Sequence, residues 1–327
     1  MMTGNIKIRD VMLTGATGFV GRSMVRALLA RGLRPVCVVR SAIKLLDQHQ
    51  DVDPERLVPV VGSLSDPATL REAAELSQAA IHLVGIIISR RLQGRTFHRV
   101  RVRGTQAVVD AVRTSGIRRL IHMSALGARP NAESRYHRTK WSAEECVRDS
   151  GLAWTIFRPS LIHGPEGEFM RLVQAFVCGL MPPVIPYFGN GQARIQPVSV
   201  QDVAYCFVES LFGADTQGLV FALGGPRTYT WLKLYDVCRG LMPGAKRWKR
   251  CVSLPVPLAK MMAMLSAAPM ALAELAAPSL GMIRFDTGQV QMSQEDSICD
   301  HTVAEQAFNI RMRSFEDELA DYADRIG

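Results

Sequence analysis

The sequence predicts an α/β fold, a doubly wound parallel sheet with a smaller, mostly helical C-terminal lobe. Three observations carry that reading. Short apolar runs alternate with amphipathic stretches through the first half of the chain, the pattern of strands joined by helical crossovers. Gly15, Gly18 and Gly21 end the first apolar run and open the first amphipathic stretch. The 327 residues are enough for about two domains at roughly 150 residues each.

The elements follow in order. Val11–Thr14 reads as a buried strand and Phe19–Arg31 as a helix closed by Gly32. Pro35–Val39 and Leu57–Val61 are the second and third strands. Asp66 can cap a helix running to Ser77. Ala80–Val84 is a strand, Thr96–Thr114 a long helix ended by Gly116, and Leu120–Met123 the next strand. A helix over Glu133–Asp149 ends at Gly151, and Trp154–Phe157 is extended. Beyond Arg158 glycine and proline become dense as far as Pro197. Val200–Leu211 is helical, Leu219–Leu223 extended and Trp231–Leu241 helical. Ser314 caps an acidic amphipathic helix to Ile326. On this pattern residues 1–163 form the first domain, with 193–225 returning to it. Residues 164–192 and 226–327 form the lobe.

Composition narrows the function classes. Hydrophobic residues make up 48% and charged residues 21%, which is ordinary for a globular chain and excludes disorder. The net charge of +9 sits wholly in the first half: residues 1–150 carry +11 and residues 151–327 carry −2. An anionic partner is therefore expected at the first half. Seven scattered cysteines without a C-x-x-C read as free thiols in a reducing compartment. No leader segment precedes the first strand, so a cytoplasmic location is expected. The longest uncharged run, Leu172–Ala193 around its prolines and glycines, does not suit a membrane span.

Thr14-Gly15-Ala16-Thr17-Gly18-Phe19-Val20-Gly21 has the spacing and context of a dinucleotide-binding turn. Gly15 permits the tight turn, Gly18 the approach of a pyrophosphate, and Gly21 close helix–strand packing. The helix start then offers N–H groups and a positive dipole end to phosphate. Thr17, Phe19, Val20, Leu83 and Pro159 complete the expected cofactor contacts. An Asp or Glu at the end of the second strand would hold a ribose 2′-hydroxyl. This chain has Arg40 there, with Arg22 and Lys44 near in sequence. A guanidinium suits a 2′-phosphate. NADP(H) is the preferred cofactor, and NAD(H) the second option.

The glycine turn, Ser124 after a strand, and Tyr136-His137-Arg138-Thr139-Lys140 on the next helix together resemble the short-chain dehydrogenase/reductase superfamily. Phe157-Arg158-Pro159-Ser160, Gln196 to Ala204, and Leu223-Gly224-Gly225-Pro226 resemble its extended and atypical branches. Ser134 to Lys140 is most similar to proteins related to the alpha-subcomplex subunit 9 of respiratory complex I and bacterial relatives. The resemblance runs from Val11 to Pro226. It implies a Rossmann domain in which Tyr136 is the catalytic tyrosine, Lys140 the ribose-binding lysine that lowers its pKa, and Ser124 the donor to a substrate carbonyl. The spacing agrees, because Tyr136 and Lys140 share a helix face. Two departures stand out. Arg101 occupies a position where relatives place a relay asparagine, and Ser63 one where they often have Asp.

Other chemistry is less well supported. Arg90, Arg91, Arg95, Arg99, Arg101 and Arg103 with His98 form a basic run, but only Phe97 could stack on a base, so no nucleic-acid partner is expected. The histidines lack metal spacing, so no metal is expected. No G-x-S-x-G elbow is present. The expected activity is hydride transfer to or from a carbonyl, enone or quinone-like group of a small apolar substrate. A non-catalytic nucleotide-binding accessory or assembly protein of a respiratory or membrane redox complex is the alternative. A sugar-nucleotide epimerase or dehydratase comes third.

Segment 254–283 is rich in Met, Ala and Leu, and its prolines divide it into helices over Pro257–Ala267 and Pro269–Ala277. It reads as lobe core, as the roof of an apolar pocket, or as a membrane-contacting surface helped by Lys246, Arg247, Lys249 and Arg250. Peripheral contact with the inner membrane face or a respiratory complex through 246–283 is the sharper expectation.

Overall fold

The computed structural model describes residues 8–83, 102–266 and 287–326. A seven-stranded parallel sheet forms its centre. The strands are β1 (Asp10–Thr14), β2 (Arg34–Val39), β3 (Val58–Val61), β4 (Ala79–His82), β5 (Arg119–Met123), β6 (Ala153–Pro159) and β11 (Leu219–Leu223). Their order is β11-β6-β5-β4-β1-β2-β3. All five side chains of β1 are buried, as expected for a strand covered on both faces.

One face of the sheet is packed by α1 (Phe19–Ala30), α7 (Val200–Ser210) and α11 (Thr302–Phe308), which bury Met24, Leu28, Phe207 and Phe308 against Val11, Leu13 and Phe157. The other is packed by α3 (Pro67–Glu75), α4 (Gly104–Thr114) and α5 (Arg135–Arg148), with Leu70, Val108, Val112 and Val147 against Met12, Val36 and Leu120. A third core gathers α6 (Glu168–Cys178), α8 (Trp231–Leu241) and α12 (Phe315–Tyr322). Residues 304–312 fall on the sheet side of this division: Ala304, Phe308 and Met312 belong to the sheet core, not to the lobe core.

Several features were not read from sequence. A short helix α2 (Ala42–Asp47) follows β2, capped by the Ser41 hydroxyl. Two-residue strands β7 (Ile162–His163) and β10 (Val198–Ser199) pair in parallel, and β9 (Arg194–Ile195) pairs with β12 (Tyr229–Thr230). β8 (Ile185–Phe188) pairs with β13 (Cys251–Leu254), which leads into α9 (Val256–Ser266). A further short helix, α10, spans Thr287–Met292. Apart from α9, which the sequence places over Pro257–Ala267, these pieces are too short for periodicity to reveal. Asp66 does cap α3, accepting from the Ala68 N–H at 3.1 Å. Ser314 precedes α12, but its hydroxyl donates to Glu316 at 3.1 Å and accepts no backbone N–H. Residues 84–101, which carry most of the basic run, and the expected helix Pro269–Ala277 lie outside the described residues.

The strand order reverses between β1 and β4, and such a switch point opens a crevice at the carboxyl ends of the strands. The first turn lies there. Gly15 has φ +85°, a region open to glycine. A Cβ on Gly21 would stand 2.0 Å from the Gly15 carbonyl oxygen and 2.7 Å from that of Ala16. Both are backbone atoms and cannot step aside. Gly21→Ala therefore lifts α1 from the turn. Its expected cost is about 2–3 kcal/mol, read as a lowered midpoint in denaturant with unchanged slope.

Candidate active site at the strand ends

The turn after β1 has the shape of a phosphate cradle. The Gly18 N–H donates to the Gly15 oxygen at 3.0 Å, and Gly18 is extended at the start of α1. No side chain caps that helix and no carboxylate lies in its first turn. A Cβ on Gly18 would stand 3.3 Å from the Gly15 oxygen. The helix end is thus free of the groups that would compete with a phosphate. Thr17, Phe19 and Val20 are half-buried around it, and Leu83 donates its N–H to Thr14 O at 3.3 Å. The Phe19 ring is covered by the 164–167 turn, where a Cβ on Gly164 or Gly167 would meet it at 3.2 Å.

The basic residues near the turn separate into two groups. Arg22 is drawn to Glu166 at 2.8 Å, with Arg26 at 4.0 Å from the same carboxylate. Arg40 and Lys44 are exposed, and neither side chain has an ion pair among the described residues. Ser63 bonds Ser65, 2.8 Å between hydroxyl oxygens, so no carboxylate stands at that position.

The second half of the site is the junction of β5 with α5. Ser134 caps α5, its buried hydroxyl accepting from the Tyr136 N–H at 3.2 Å, so Tyr136 sits in the first turn. Tyr136 is half-buried, edge-on to His137 with ring centroids 5.4 Å apart. Lys140 lies one turn further on. It is buried, and its Nζ donates to the Met123 carbonyl at 2.6 Å. That bond anchors the lysine to the end of β5, beside Ser124. The Ser124 N–H donates to Phe157 O at 2.7 Å, which ties it to β6. Pro159, buried at the end of β6, accepts from Leu126 N–H at 2.9 Å.

The Ser124 hydroxyl donates to Glu144, a carboxylate with no exposed surface. Arg158 Nε (2.8 Å) and Nη2 (2.7 Å) and Arg148 Nη2 (2.6 Å) donate to the same carboxylate. Both guanidinium groups lie over the Trp141 ring, at 4.8 and 5.6 Å. Sequence reasoning missed this cluster. The available signal was spacing, since Glu144 lies one turn beyond Lys140 and on the same face of α5.

A polar row beneath the site was also missed. Thr14, His82 and His122 stand opposite one another on β1, β4 and β5. His82 bonds Thr14 Oγ1 through Nδ1 at 2.7 Å and Thr105 Oγ1 through Nε2 at 3.1 Å. The two imidazoles stack at 5.3 Å. Burial, then the Lys140 charge, pushes His82 down to about 3. Burial, His82, Lys140 and Arg148 hold His122 well below its ordinary value. Among the described residues no group of three or more His, Cys, Asp or Glu side chains is placed to hold a metal. A hollow of about 610 Å³ is lined by Ile8, Arg9, Asp10, Gly32 and Gln78 at the opposite edge of the sheet.

A cradle for a pyrophosphate, beside a tyrosine and lysine one turn apart, defines a nicotinamide-nucleotide-binding α/β protein. Comparison with known proteins agrees. The model of a family described as NAD(P)H-binding matches residues 15–176. A ceramide reductase of Caulobacter vibrioides is 34% identical over 250 residues, 76% of this chain and 74% of that protein. The mitochondrial NADH dehydrogenase [ubiquinone] 1 alpha subcomplex subunit 9 of Arabidopsis thaliana is 30% identical over 275 residues. That match takes in 80% of this chain but only 64% of the plant subunit. Among solved structures, a dTDP-glucose 4,6-dehydratase of Streptomyces venezuelae, with NAD bound, superposes with a TM-score of 0.71 at 19% identity, covering 97% of this chain and 96% of that one. The chain belongs to the NAD(P)H-binding family of the short-chain dehydrogenase/reductase superfamily, among the relatives of complex I subunit 9.

The buried histidines make stability depend on pH. His82 and His163, both pushed down to about 3, and His122 stay neutral in the fold. The unfolded chain protonates all three below about pH 6.5. Stability is therefore full above that pH and falls as pH drops toward 3, by up to about 1.4 kcal/mol per unit for each histidine. Asp202 opposes this in part, because burial raises it to about 6 and the fold then binds its proton first. Thermal unfolding midpoints should decline from pH 7 to pH 5, and His122→Leu should make the decline shallower. An unchanged slope in that variant would contradict the assignment.

Proposed function

We propose that this chain is an NADP(H)-dependent oxidoreductase that reduces or oxidises a carbonyl–alcohol pair on an apolar substrate. The observation that carries the reading is Lys140: buried, fixed to the Met123 carbonyl, and one turn from Tyr136 at the switch-point edge. The fit of the turn to a pyrophosphate supports the cofactor, and exposed Arg40 at the end of β2 supports a 2′-phosphate.

The nicotinamide, when bound, supplies or accepts the hydride at the substrate carbon. Tyr136 gives its phenolic proton to the carbonyl oxygen in reduction, or takes the hydroxyl proton in oxidation. The Lys140 ammonium favours the phenolate that results. Ser124 has its hydrogen on Glu144, so its lone pairs are what it offers to a neighbouring hydroxyl. Donation to the substrate oxygen then falls to Tyr136 alone, and Ser124 is a positioning residue. A relative named for reducing ceramide supports a lipid-like substrate.

The second reading is a nucleotide-binding accessory protein of a respiratory complex. It is favoured by the relatives named as complex I subunits and by the commitment of the Ser124 hydrogen to Glu144. Nucleotide binding is common to both, and turnover separates them.

Binding is read by thermal shift. Saturation at about 100 times the Kd adds about 2.7 kcal/mol of stability. Arg40→Asp is expected to weaken NADPH at least tenfold more than NADH, about 1.4 kcal/mol of selective loss. An equal loss for both nucleotides removes Arg40 as selector. Tyr136→Phe is expected to keep NADPH affinity within about twofold and to lower hydride transfer by 10²–10⁴-fold. Lys140→Met is expected to impair both. Tight NADPH binding without oxidation across panels of ketones, lipid carbonyls and quinones would select the accessory reading.

A further inference from the structure

The helix α9 is inside out. Its small residues Ala259 and Ala263, four apart, are buried against the protein. Its large apolar residues Leu258, Met261 and Met262, spaced three and four apart on the opposite face, are 41%, 51% and 44% exposed. A helix packed on a soluble domain has the reverse arrangement. More apolar side chains are exposed on the segments that lead into α9 and on those fastened to them. Leu180 (72% exposed) and Met181 (75%) follow α6, Trp248 is 61% exposed, and Val252 on β13 is exposed opposite Pro186 of β8.

The fold holds these segments together. Lys249 is buried and donates from Nζ to the Phe176 carbonyl at 2.8 Å, and the Lys246 N–H donates to Val177 O at 2.9 Å. Residues 246–250 are thus fastened to the end of α6, beside Leu180 and Met181. Lys249 is spent on that fastening and is not the surface charge the sequence suggested. Arg247 and Arg250 are exposed on either side of Trp248, and Lys246 and Lys260 are half-buried. No Asp or Glu occurs between Asp236 and Glu274. The surface joins Met, Leu and Trp side chains to cations, and the carboxylate held beside the turn among the described residues, Asp236, is paired with Arg239, which donates to the Lys249 carbonyl.

We propose that this surface, formed by α9, the 246–250 turn and the loop after α6, docks on an anionic lipid bilayer. The helix would lie in the plane of the interface with its apolar face in the headgroup–acyl boundary. Unbranched Met side chains adapt to a fluid surface, Trp suits the interface, and the arginines answer the lipid phosphates. A second copy of the chain is a poor occupant. Two-fold pairing would set this cationic patch against itself. No helix among the described residues is long and apolar enough to cross a membrane, so the contact is one of lying on the bilayer. The proposal is independent of turnover at Tyr136.

The test is vesicle flotation of the full chain on phosphatidylcholine alone and with about one third phosphatidylglycerol, at low and at high salt. The protein is expected to float with anionic vesicles at low salt and to be released by high salt. Trp248 emission is expected to move to shorter wavelength, a change absent in Trp248→Phe. Neutralising Arg247 and Arg250 to Gln is expected to lower partitioning about thirtyfold, about 2 kcal/mol at about 1 kcal/mol per charge. Replacing Leu258, Met261 and Met262 by Gln is expected to abolish flotation while leaving circular dichroism and NADPH binding unchanged. Failure of the wild type to float, or equal flotation of the glutamine triple variant, overturns the proposal. So does equal binding to neutral vesicles. A dimer in sedimentation velocity that the triple variant dissolves would assign the face to a second copy, and a complex formed only with an acidic protein would assign it to that partner.

Discussion

The contact between the start of α1 and the turn after β1 is the constraint on which the rest depends. At Gly21 the helix passes so near the Gly15 and Ala16 carbonyls that no side chain fits between them. That approach sets the direction of α1 and brings its uncapped end to the sheet's switch point. It also packs Phe19 under the 164–167 turn, which Glu166 fastens through Arg22. The phosphate cradle and the first contact with the lobe therefore share one origin. Composition could not have shown this. Three glycines with the right spacing did, because each answers a separate steric demand.

The other half of the edge is organised by buried charge. Glu144 gathers Arg148, Arg158 and Ser124 onto one carboxylate, so α5, β5 and β6 meet at a single node. A buried carboxylate with several donors is tolerated because its lone pairs are filled, and loss of one partner leaves an uncompensated charge. Lys140 lies one turn away and uses a backbone carbonyl as its anchor. Beneath it the Thr14–His82–His122 row stays neutral. Cation, anion and neutral polar groups are each matched to a different partner, and the half-buried Tyr136 stands one turn before Lys140 on α5.

The fold was largely legible. The alternation of β-type and helical runs from Val11 to Phe157, the glycine turn and the Asp66 cap all depend on local pattern, and the structure has them within a residue or two, apart from the helix expected over Thr96–Thr114, which is described only as Gly104–Thr114. The NAD(P)-binding superfamily was legible from the same turn with Tyr136 and Lys140. What stayed hidden depends on contacts distant in sequence. Glu144 reads as a solvated helix residue until β5 and β6 bring Ser124 and Arg158 to it. His82 ends β4 and His122 is the last residue but one of β5, and only the parallel register puts one against the other. Lys249 looks like one of four equivalent surface cations, yet the end of α6 claims it. Residues 302–312 follow the lobe in sequence but fold back onto the sheet. The inverted face of α9 was visible only as a Met-rich composition, since periodicity says which residues share a face and not which face is outward.

We propose that the strand-end crevice holds a nicotinamide dinucleotide by its phosphates, with Arg40 on the 2′-phosphate. Phosphorus-31 NMR of NADPH titrated with the protein tests it most directly, because each phosphate reports separately. Free, the 2′-phosphate loses its second proton near about pH 6. The account predicts that both pyrophosphate resonances move on binding and that the 2′-phosphate stays dianionic to a lower pH than in the free nucleotide. A complex in which the pyrophosphate signals and the 2′-phosphate titration match those of free NADPH would contradict it.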